Sequence, residues 1–233
     1  MIELSPAGFE EVDCGDELEL VVYTDAVGEQ LLADVFGGVA GTEVEPAWEQ
    51  RWREFHRPIR VGRLWVGAPW HEQPANGLRV VIEPGRAFGT GAHPSTRLCL
   101  RLLQAVPAGS CLDLGCGSGV VAIAAAKLGF DPVIAVDIDE HAVEAVQRNA
   151  FANGVALQSF RADVRTTSLP QTDVVVANLT RELVQQILPR LECRVVIAGG
   201  YLPTDAIHAV DFRHVERLTE DGWAADLLER AGQ

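Results

Sequence analysis

The stretch Asp113-Leu-Gly-Cys-Gly-Ser-Gly119 decides the fold of this 233-residue chain. The apolar residues that lead into it predict a strand at 110–114, and the run VVAIAAAKLG that follows predicts a helix at 119–128. Glycines between a strand and a helix let the backbone turn tightly and approach a ligand closely. The stretch therefore predicts a strand–turn–helix unit that faces a ligand within an α/β sheet.

Strands and helices alternate on both sides of this turn. The predicted helices are 96–105, 119–128, 140–153 and 180–190, and the predicted strands are 110–114, 132–137, 156–161, 173–177 and 193–198. Two further strands lie within residues 211–230, joined by a turn at Asp221-Gly222, which is a strong hairpin signal. This order predicts a doubly wound, mostly parallel, Rossmann-like sheet that ends in an antiparallel hairpin.

The chain divides into three segments with different patterns. Residues 1–57 predict a small α+β domain, with strands at 17–23 and 42–45 and helices at 28–36 and 46–55. Residues 58–82 predict a connector with some sheet of its own, because short β-like pieces alternate with Pro and Gly turns. Residues 83–233 predict the large α/β domain.

The bulk composition excludes several classes of protein. The chain is 48% hydrophobic and 22% charged, which is typical of a soluble globular protein. It has neither a long apolar run nor a basic, apolar leader, so we expect a cytoplasmic protein that does not bind membranes. A formal net charge of −14 disfavours direct DNA binding and favours a basic protein partner. The spacing of the cysteines does not suit zinc, and we predict no metal site.

The residues around the glycine turn indicate which ligand it binds. A dinucleotide fingerprint requires glycine at position 120, where this chain has Val120, so a nicotinamide cofactor is disfavoured. Asp113, before Gly115 and Gly117, can attract the ammonium group of an amino acid. Asp137, at the end of the next predicted strand, can take two ribose hydroxyls with its two oxygens. These residues predict S-adenosyl-L-methionine as cofactor, with S-adenosyl-L-homocysteine as product.

Three more residues are candidates for the same site. Ile138 follows Asp137, and Asp163 follows a predicted strand. In the S-adenosylmethionine-dependent enzymes that this pattern resembles, a residue at the place of Asp163 often contacts the adenine amino group, although Asp163 can also be an ordinary loop acid. Asn178 ends strand 173–177 at the carboxyl edge of the sheet. Its side chain can either cap the next helix or accept a hydrogen bond from a substrate amine. We favour the second role and predict Asn178 as the catalytic residue that positions the acceptor amine.

The segment 83–96, EPGRAFGTGAHPST, is the most unusual stretch of the chain. Its Gly and Pro content is also typical of a plain linker. Ser95 and Thr96, however, place hydroxyl groups at a predicted helix N-terminus, where they can contact a polar ligand. His93 is a candidate general base, but a solitary histidine is more often structural.

Four segments, AFGTGAHPSTRLCL, LDLGCGSGVVAIAAAKLG, VDIDEHAVEAVQRNAFANGV and DVVVANL, occur in the order typical of the ribosomal protein L11 methyltransferase (PrmA) family, which the chain closely resembles over residues 83–200. The resemblance implies the class I methyltransferase fold. It also implies that S-adenosylmethionine is bound by Thr96, Gly115, Asp137 and Asn178, and that a loop containing Phe88, Gly89 and Thr90 closes over it.

The resemblance further implies the reaction and the partner. Family members methylate lysine and N-terminal amines of a basic large-subunit ribosomal protein, and we expect a monomer. Two departures stand out: the N-terminal recognition domain is expected to be shortened, and LTREL (179–183) replaces a small-residue turn after Asn178. The alternatives are a methyltransferase of the same fold acting on another protein or small amine, and a non-catalytic descendant that binds S-adenosylmethionine.

Overall fold

The computed structural model describes residues 10–13, 18–22, 26–37, 39, 57–84, 89 and 91–232. The chain forms two compact units, residues 1–52 and 53–233. In the first, strands β1 (Glu10–Asp13) and β2 (Leu18–Val21) pair antiparallel, and helix α1 spans Ala26–Phe36. Strand β1 was not predicted, whereas β2 and α1 were. The predicted strand at 42–45 and helix at 46–55 lie outside the described residues.

The second unit is built on a seven-stranded sheet. In chain order its strands are β6 (Cys111–Leu114), β7 (Val133–Asp137), β8 (Gln158–Arg161), β9 (Val174–Asn178), β10 (Val195–Tyr201), β11 (Phe212–Glu220) and β12 (Trp223–Arg230). They lie in the order β11-β12-β10-β9-β6-β7-β8. All pairs from β10 to β8 are parallel, and β12 is antiparallel to both β10 and β11. The predicted parallel sheet with a terminal antiparallel hairpin is confirmed.

Helix α2 (Pro94–Leu103) precedes β6, whereas α3 (Val120–Lys127), α4 (Glu140–Asn153) and α5 (Arg181–Ile187) connect β6 to β7, β7 to β8 and β9 to β10. A 3₁₀ turn at Leu188–Arg190 follows α5, where the sequence predicted helix up to residue 190. The α-helix ends there because Pro189 has no N–H to donate to the preceding turn. Strand β10 extends to Tyr201, beyond the predicted residue 198, because its pairing with β12 continues past a bulge. Within the described part of the chain, no helix is long and apolar enough to cross a membrane.

Both faces of the large sheet are covered by apolar packing. In β9, Val174 and Val176 belong to one core, and Val175 and Ala177 belong to the other. This alternation follows from the two-residue period of a strand, and burial on both faces is typical of a parallel sheet. The sheet therefore holds its strand ends rigidly, and it is at those ends that the candidate site lies.

A smaller three-stranded sheet packs into the first of these cores. It consists of β3 (Ile59–Val61), β4 (Leu64–Gly67) and β5 (Leu78–Val81), with β3 antiparallel and β5 parallel to β4. Its buried side chains, Val61, Leu64, Val66 and Val80, face α2, α3 and α4. The segment predicted as a connector thus contributes to the core of the second unit.

Candidate active site

A cavity of about 540 Å³ lies at the carboxyl ends of β6, β7 and β9. Open α/β sheets bind their ligands at this edge. The residues predicted for the site that line it are Gly89, Thr96, Asp113, Gly115, Gly117, Asp137, Ile138, Asp163 and Asn178. Phe88 and Thr90, also predicted, lie outside the described residues. Tertiary structure thus brings together side chains from positions far apart in the chain.

The glycine turn between β6 and α3 forms the floor of the cavity. Gly115 has φ +70°, and its N–H donates to Val136 O at 2.8 Å, which joins the turn to β7. A Cβ atom on Gly115 would collide with the side chain of Leu179. Gly119 has φ +84° and lies against Val146 of α4, leaving a Cβ only 3.0 Å from Cγ2. Both positions therefore require glycine for conformation and for space.

Asp137 points its carboxylate into the cavity from the end of β7. Oδ2 accepts a hydrogen bond from the Gly117 N–H at 2.9 Å, and Oδ1 accepts one from the Asp139 N–H at 3.0 Å. Each oxygen retains a lone pair for a ligand hydroxyl. Asp139 itself caps α4 by accepting from the His141 N–H at 3.0 Å.

Asp113 is buried at the inner end of the cavity. Its Oδ2 accepts a hydrogen bond from the Ala122 N–H at 3.0 Å. Burial raises the pKa of this carboxyl to about 7; the hydrogen bond from Ala122 opposes the rise, and the nearby charge of Asp137 adds to it. A cation bound beside Asp113 would favour its ionised form.

Asp163 also lines the cavity, and it is paired with Arg165. The guanidinium Nη2 lies 2.7 Å from Oδ2, and Nε and the backbone N–H of Arg165 each donate to Oδ1 at 2.9 Å. These hydrogen bonds lower the pKa of Asp163 to about 2. Arg190 holds the same loop by donating to Val164 O and Thr167 O. Sequence reasoning did not single out Arg165, which also lines the cavity.

The lining of the cavity is negatively charged. Among the described residues that line it, four carry carboxyl groups and one, Arg165, carries a positive charge; the acids are Asp137, Asp163, Glu182 and Asp113, of which Asp113 ionises only near pH 7 because burial raises its pKa. The guanidinium of Arg165 is neutralised by Asp163. Since the carboxylates outnumber the guanidinium, the cavity favours a cationic ligand.

Asn178 ends β9 on the side of the cavity that adjoins α2. Its Nδ2 donates to Thr96 Oγ1 at 3.2 Å, and its Oδ1 is buried without a hydrogen-bond partner among the described residues. The cap of α5 is Thr180, whose hydroxyl accepts from the Leu183 N–H at 3.4 Å. The alternative that Asn178 caps this helix is therefore wrong. An unsatisfied buried acceptor costs about 1–3 kcal/mol, which a ligand donor can recover.

His93 has a structural place in the fold. It precedes α2, and its Nδ1 accepts from the Ser95 N–H at 3.3 Å, which caps the helix. Its ring meets the ring of Trp223 nearly edge-on, with centroids 4.6 Å apart. Burial and the charge of Arg97 lower its pKa. His93 is not among the described residues that line the cavity.

Asn149 supports the site from α4 and was not identified from sequence. Its Nδ2 donates to Ser118 O at 2.9 Å, and its Oδ1 accepts from the Glu83 N–H at 3.1 Å. Ser118 in turn donates its hydroxyl to Gly89 O. The signal for it in the sequence is a polar residue at helical spacing from Ala142 and Val146, on a helix face that is otherwise apolar.

Residues 25–232 match the sequence profile of the ribosomal protein L11 methyltransferase (PrmA) family. The chain belongs to this family. A curated L11 methyltransferase of Dechloromonas aromatica is 42% identical over 201 residues, which cover 81% of this chain and 67% of that protein. Its counterpart in Photobacterium profundum is 40% identical over 185 residues, which cover 77% of this chain and 62% of that protein. The chain thus spans about two thirds of the length of the PrmA relatives it matches.

Solved structures show the same fold. A ribosomal protein L11 methylase from Lactobacillus delbrueckii subsp. bulgaricus superposes with a TM-score of 0.69 and 25% identity, over 75% of this chain and 99% of that one. A tRNA (uracil-54, C5)-methyltransferase of Pyrococcus abyssi, in complex with S-adenosyl-L-homocysteine, shares only the fold, with a TM-score of 0.51 and 19% identity over 75% of this chain and 44% of that one. The class I methyltransferase fold expected for a PrmA family member is confirmed.

Proposed function

We propose that the chain uses S-adenosylmethionine to methylate lysine or N-terminal amines of a large-subunit ribosomal protein. The observation that carries the proposal is the buried, unpartnered Oδ1 of Asn178, which lies in the same cavity as the Asp137 carboxylate. The Asp137 carboxylate suits the ribose hydroxyls of a nucleoside, and the Asn178 Oδ1 suits the N–H of an amine. Membership of the PrmA family supports this reaction class.

The residues of the cavity fit S-adenosylmethionine. Asp137 has a lone pair on each oxygen for the two ribose hydroxyls, and Asp163 is held ionised to accept from the adenine amino group. Asp113 and the glycine turn would hold the ammonium end. When bound, this cofactor supplies an electrophilic methyl group on a positively charged sulfur. The negative lining of the cavity matches its net positive charge.

Asn178 would orient the acceptor. Its Oδ1 accepts a hydrogen bond from the amine N–H, which directs the nitrogen lone pair, while Thr96 holds the other end of the amide. The amine must arrive uncharged, because an ammonium group has no lone pair. A site shielded from water lowers the pKa of a lysine, which favours the neutral form. Positioning, rather than a covalent nucleophile, would supply the rate enhancement.

The charge of the chain supports a basic protein as partner. The formal net charge is −14, and opposite charge speeds the encounter of two proteins. The PrmA relatives named above carry ribosomal protein L11 in their names, so L11 is the first acceptor to test.

The test uses methyl-labelled cofactor with isolated L11 and, separately, with a bacterial extract. We expect label on L11 from the unaltered chain, little label from Asn178→Ala, and similar affinity of both for S-adenosylhomocysteine by calorimetry. Gln147→Ala is the matched control, since it removes an exposed amide on α4 that is not among the described lining residues. Label only on another protein would overturn the L11 assignment, and binding without any transfer would overturn the activity.

A further inference from the structure

We propose that Arg97 is a positioning residue for methyl transfer: it ties the first turn of α2 to the terminal hairpin and so holds Thr96, and through it the Asn178 amide, in place. The inference rests on the proposed function, because it requires that the Asn178 amide orients the acceptor amine. Arg97 itself is not among the described residues that line the cavity. It concerns the acceptor end of the site and not the binding of the nucleoside.

The guanidinium of Arg97 joins three segments of the chain. Nε donates to Glu220 Oε1 at 2.7 Å, and Nη2 donates to Asp221 Oδ2 at 2.7 Å, both at the hairpin turn. Nη1 donates to Ala92 O, in the segment that leads into α2. A planar guanidinium has donors in fixed directions. This single side chain therefore fixes the hairpin turn and the segment before α2 relative to α2 itself, which carries Arg97.

The contact between the hairpin and α2 is reinforced one helical turn further along. Arg101 Nη1 lies 2.8 Å from Glu220 Oε2 and forms an ion pair that is not aligned as a hydrogen bond, so this one carboxylate pairs with two arginines of α2. The side chains of Arg97 and Glu220 are only 20% and 21% exposed. Ion pairs shielded in this way are screened less by solvent and salt than pairs on an open surface.

The shape of the hairpin turn places its second carboxylate against Arg97. Asp221 has φ +48°, a left-handed conformation that Asp tolerates better than most residues. Trp223, just after the turn, packs against the His93 ring that caps α2. The hairpin therefore contacts the start of α2 at two points: Trp223 packs against the cap residue His93, and the turn carboxylates pair with Arg97.

Thr96 lies between these two points. It is 2% exposed, and its Oγ1 accepts the Asn178 Nδ2 hydrogen bond at 3.2 Å. A small rotation or shift of this helical turn would lengthen that hydrogen bond and free the amide to rotate. The Asn178 Oδ1 must face the acceptor amine. The contacts between the hairpin and the start of α2 therefore set the orientation of the Asn178 amide.

The test compares two ligands that differ at the acceptor end. Sinefungin carries an amine at the position of the transferred methyl group, so it can donate to Asn178 Oδ1, whereas S-adenosylhomocysteine cannot. The ratio of their dissociation constants therefore reports the orientation of the amide. It is measured by calorimetry for the unaltered chain, Arg97→Ala, Thr96→Val, the double variant and Arg213→Ala. Arg213 is the matched control, because it pairs with Glu229 at 2.7 Å on the same hairpin, away from α2.

In Arg97→Ala we expect the preference for sinefungin to fall about 5- to 10-fold, as for one lost hydrogen bond, with the affinity for S-adenosylhomocysteine nearly unchanged. The methyl-transfer rate should fall by a similar factor with little change in KM. The double variant should match Thr96→Val, since Arg97 acts through Thr96. Arg97→Lys should recover part of the loss. If Arg97→Ala does not fold, the double variant Glu220→Gln and Asp221→Asn removes both ion pairs of Arg97, together with the pair between Glu220 and Arg101.

Two results overturn the inference and are distinguishable. A preference in Arg97→Ala equal to that in Arg213→Ala, or effects of Arg97 and Thr96 that add fully, rejects the positioning role while leaving the proposed function intact. Failure of the unaltered chain to bind either ligand rejects the proposed function first, and this inference with it.

Discussion

Asn178 Nδ2 lies 3.2 Å from Thr96 Oγ1, although the two residues are 82 positions apart in the chain. The hydrogen bond joins the end of β9 to the first turn of α2. It leaves the other atom of the amide, Oδ1, buried and without a partner among the described residues. The amide is thus held by one end and open at the other, which is the geometry required of a group that orients an amine.

Replacing Thr96 by Val tests this relationship directly. The variant keeps the shape of the side chain but removes the hydroxyl that binds Nδ2, so we expect the methyl-transfer rate to fall about 10-fold. Thr96→Ser should restore most of the rate. Steady-state kinetics measure the effect, with S-adenosylhomocysteine affinity as the control for an intact pocket. An unchanged rate in Thr96→Val would remove this hydroxyl from the mechanism.

Asp137 is expected to dominate cofactor affinity. Asp137→Ala removes two charge-assisted acceptors for ribose hydroxyls and leaves the Gly117 and Asp139 N–H groups without their partner. Loss of hydrogen bonds to a charged group should weaken binding by about 100-fold or more. Asp139→Asn is the control, because Asn caps a helix as well as Asp does. Calorimetric titration with S-adenosylhomocysteine distinguishes the two.

The raised pKa of Asp113 predicts a dependence of stability on pH. The folded carboxyl keeps its proton up to about pH 7, whereas its ordinary pKa is 3.8. Folding therefore takes up a proton between these values, and the contribution of Asp113 to the free energy of unfolding falls as the pH rises from about 4 to 7. Urea denaturation should show this fall in the unaltered chain and a smaller one in Asp113→Asn, which cannot ionise.

The same group predicts that cofactor binding releases a proton. A cationic ligand favours the ionised form of Asp113, so the affinity for S-adenosylmethionine should rise about tenfold between pH 6 and 8. Calorimetry in two buffers of different ionisation enthalpy counts the released protons. Asp113→Asn should show a flat affinity over this range, and a similar rise in that variant would assign the proton to another group.

Arg165 is expected to support adenine recognition through Asp163. In Arg165→Ala the carboxylate loses the hydrogen bonds that orient it and lower its pKa, so we expect cofactor affinity to fall a few-fold. The loss should be smaller for an analogue with inosine in place of adenosine, which lacks the amino group. Arg148→Ala is a suitable control, since Arg148 forms an exposed pair with Glu144 on α4.

Asp226 is expected to be important for stability rather than for chemistry. It is fully buried in β12, where it accepts from Tyr201, His214 and Arg217. Removing Asp226 leaves the partly buried Arg217 guanidinium and the buried Tyr201 hydroxyl without this acceptor, so Asp226→Ala should lower the free energy of unfolding by about 1–3 kcal/mol. Urea denaturation measures this loss of stability. The control is Arg213→Ala, which removes the exposed ion pair with Glu229 and should lower the free energy of unfolding by less than about 1 kcal/mol.

The elements of the large sheet were predictable because their signals are local. Periods of two and 3.6 residues marked β6 to β9 and α3 to α4, and Asp221-Gly222 marked the hairpin turn. The glycine turn and Asp137 were found for the same reason: a strand that ends in such residues meets its neighbour at the ligand-binding edge of the sheet. Where prediction was wrong, as at the end of α5, a single residue such as Pro189 decided the boundary.

Partners that are distant along the chain gave no such signal. Arg97 meets Glu220 across 123 residues, and the Asn149 side chain meets the Glu83 N–H across 66. Nothing near Arg165 or Asp226 in the sequence distinguishes them from surface charges, and burial and hydrogen bonding became visible only in the folded chain.

Local sequence was therefore sufficient for the fold class, the glycine turn and the choice of a nucleoside ligand, because backbone conformation and apolar periodicity depend on neighbouring residues. Packing between elements decides the orientation of the Asn178 amide, the charge state of Asp113 and the ion pairs between the hairpin and α2. Hydrogen bonds and desolvation act over a few ångströms in space, whatever the separation along the chain, so only the tertiary structure decided them.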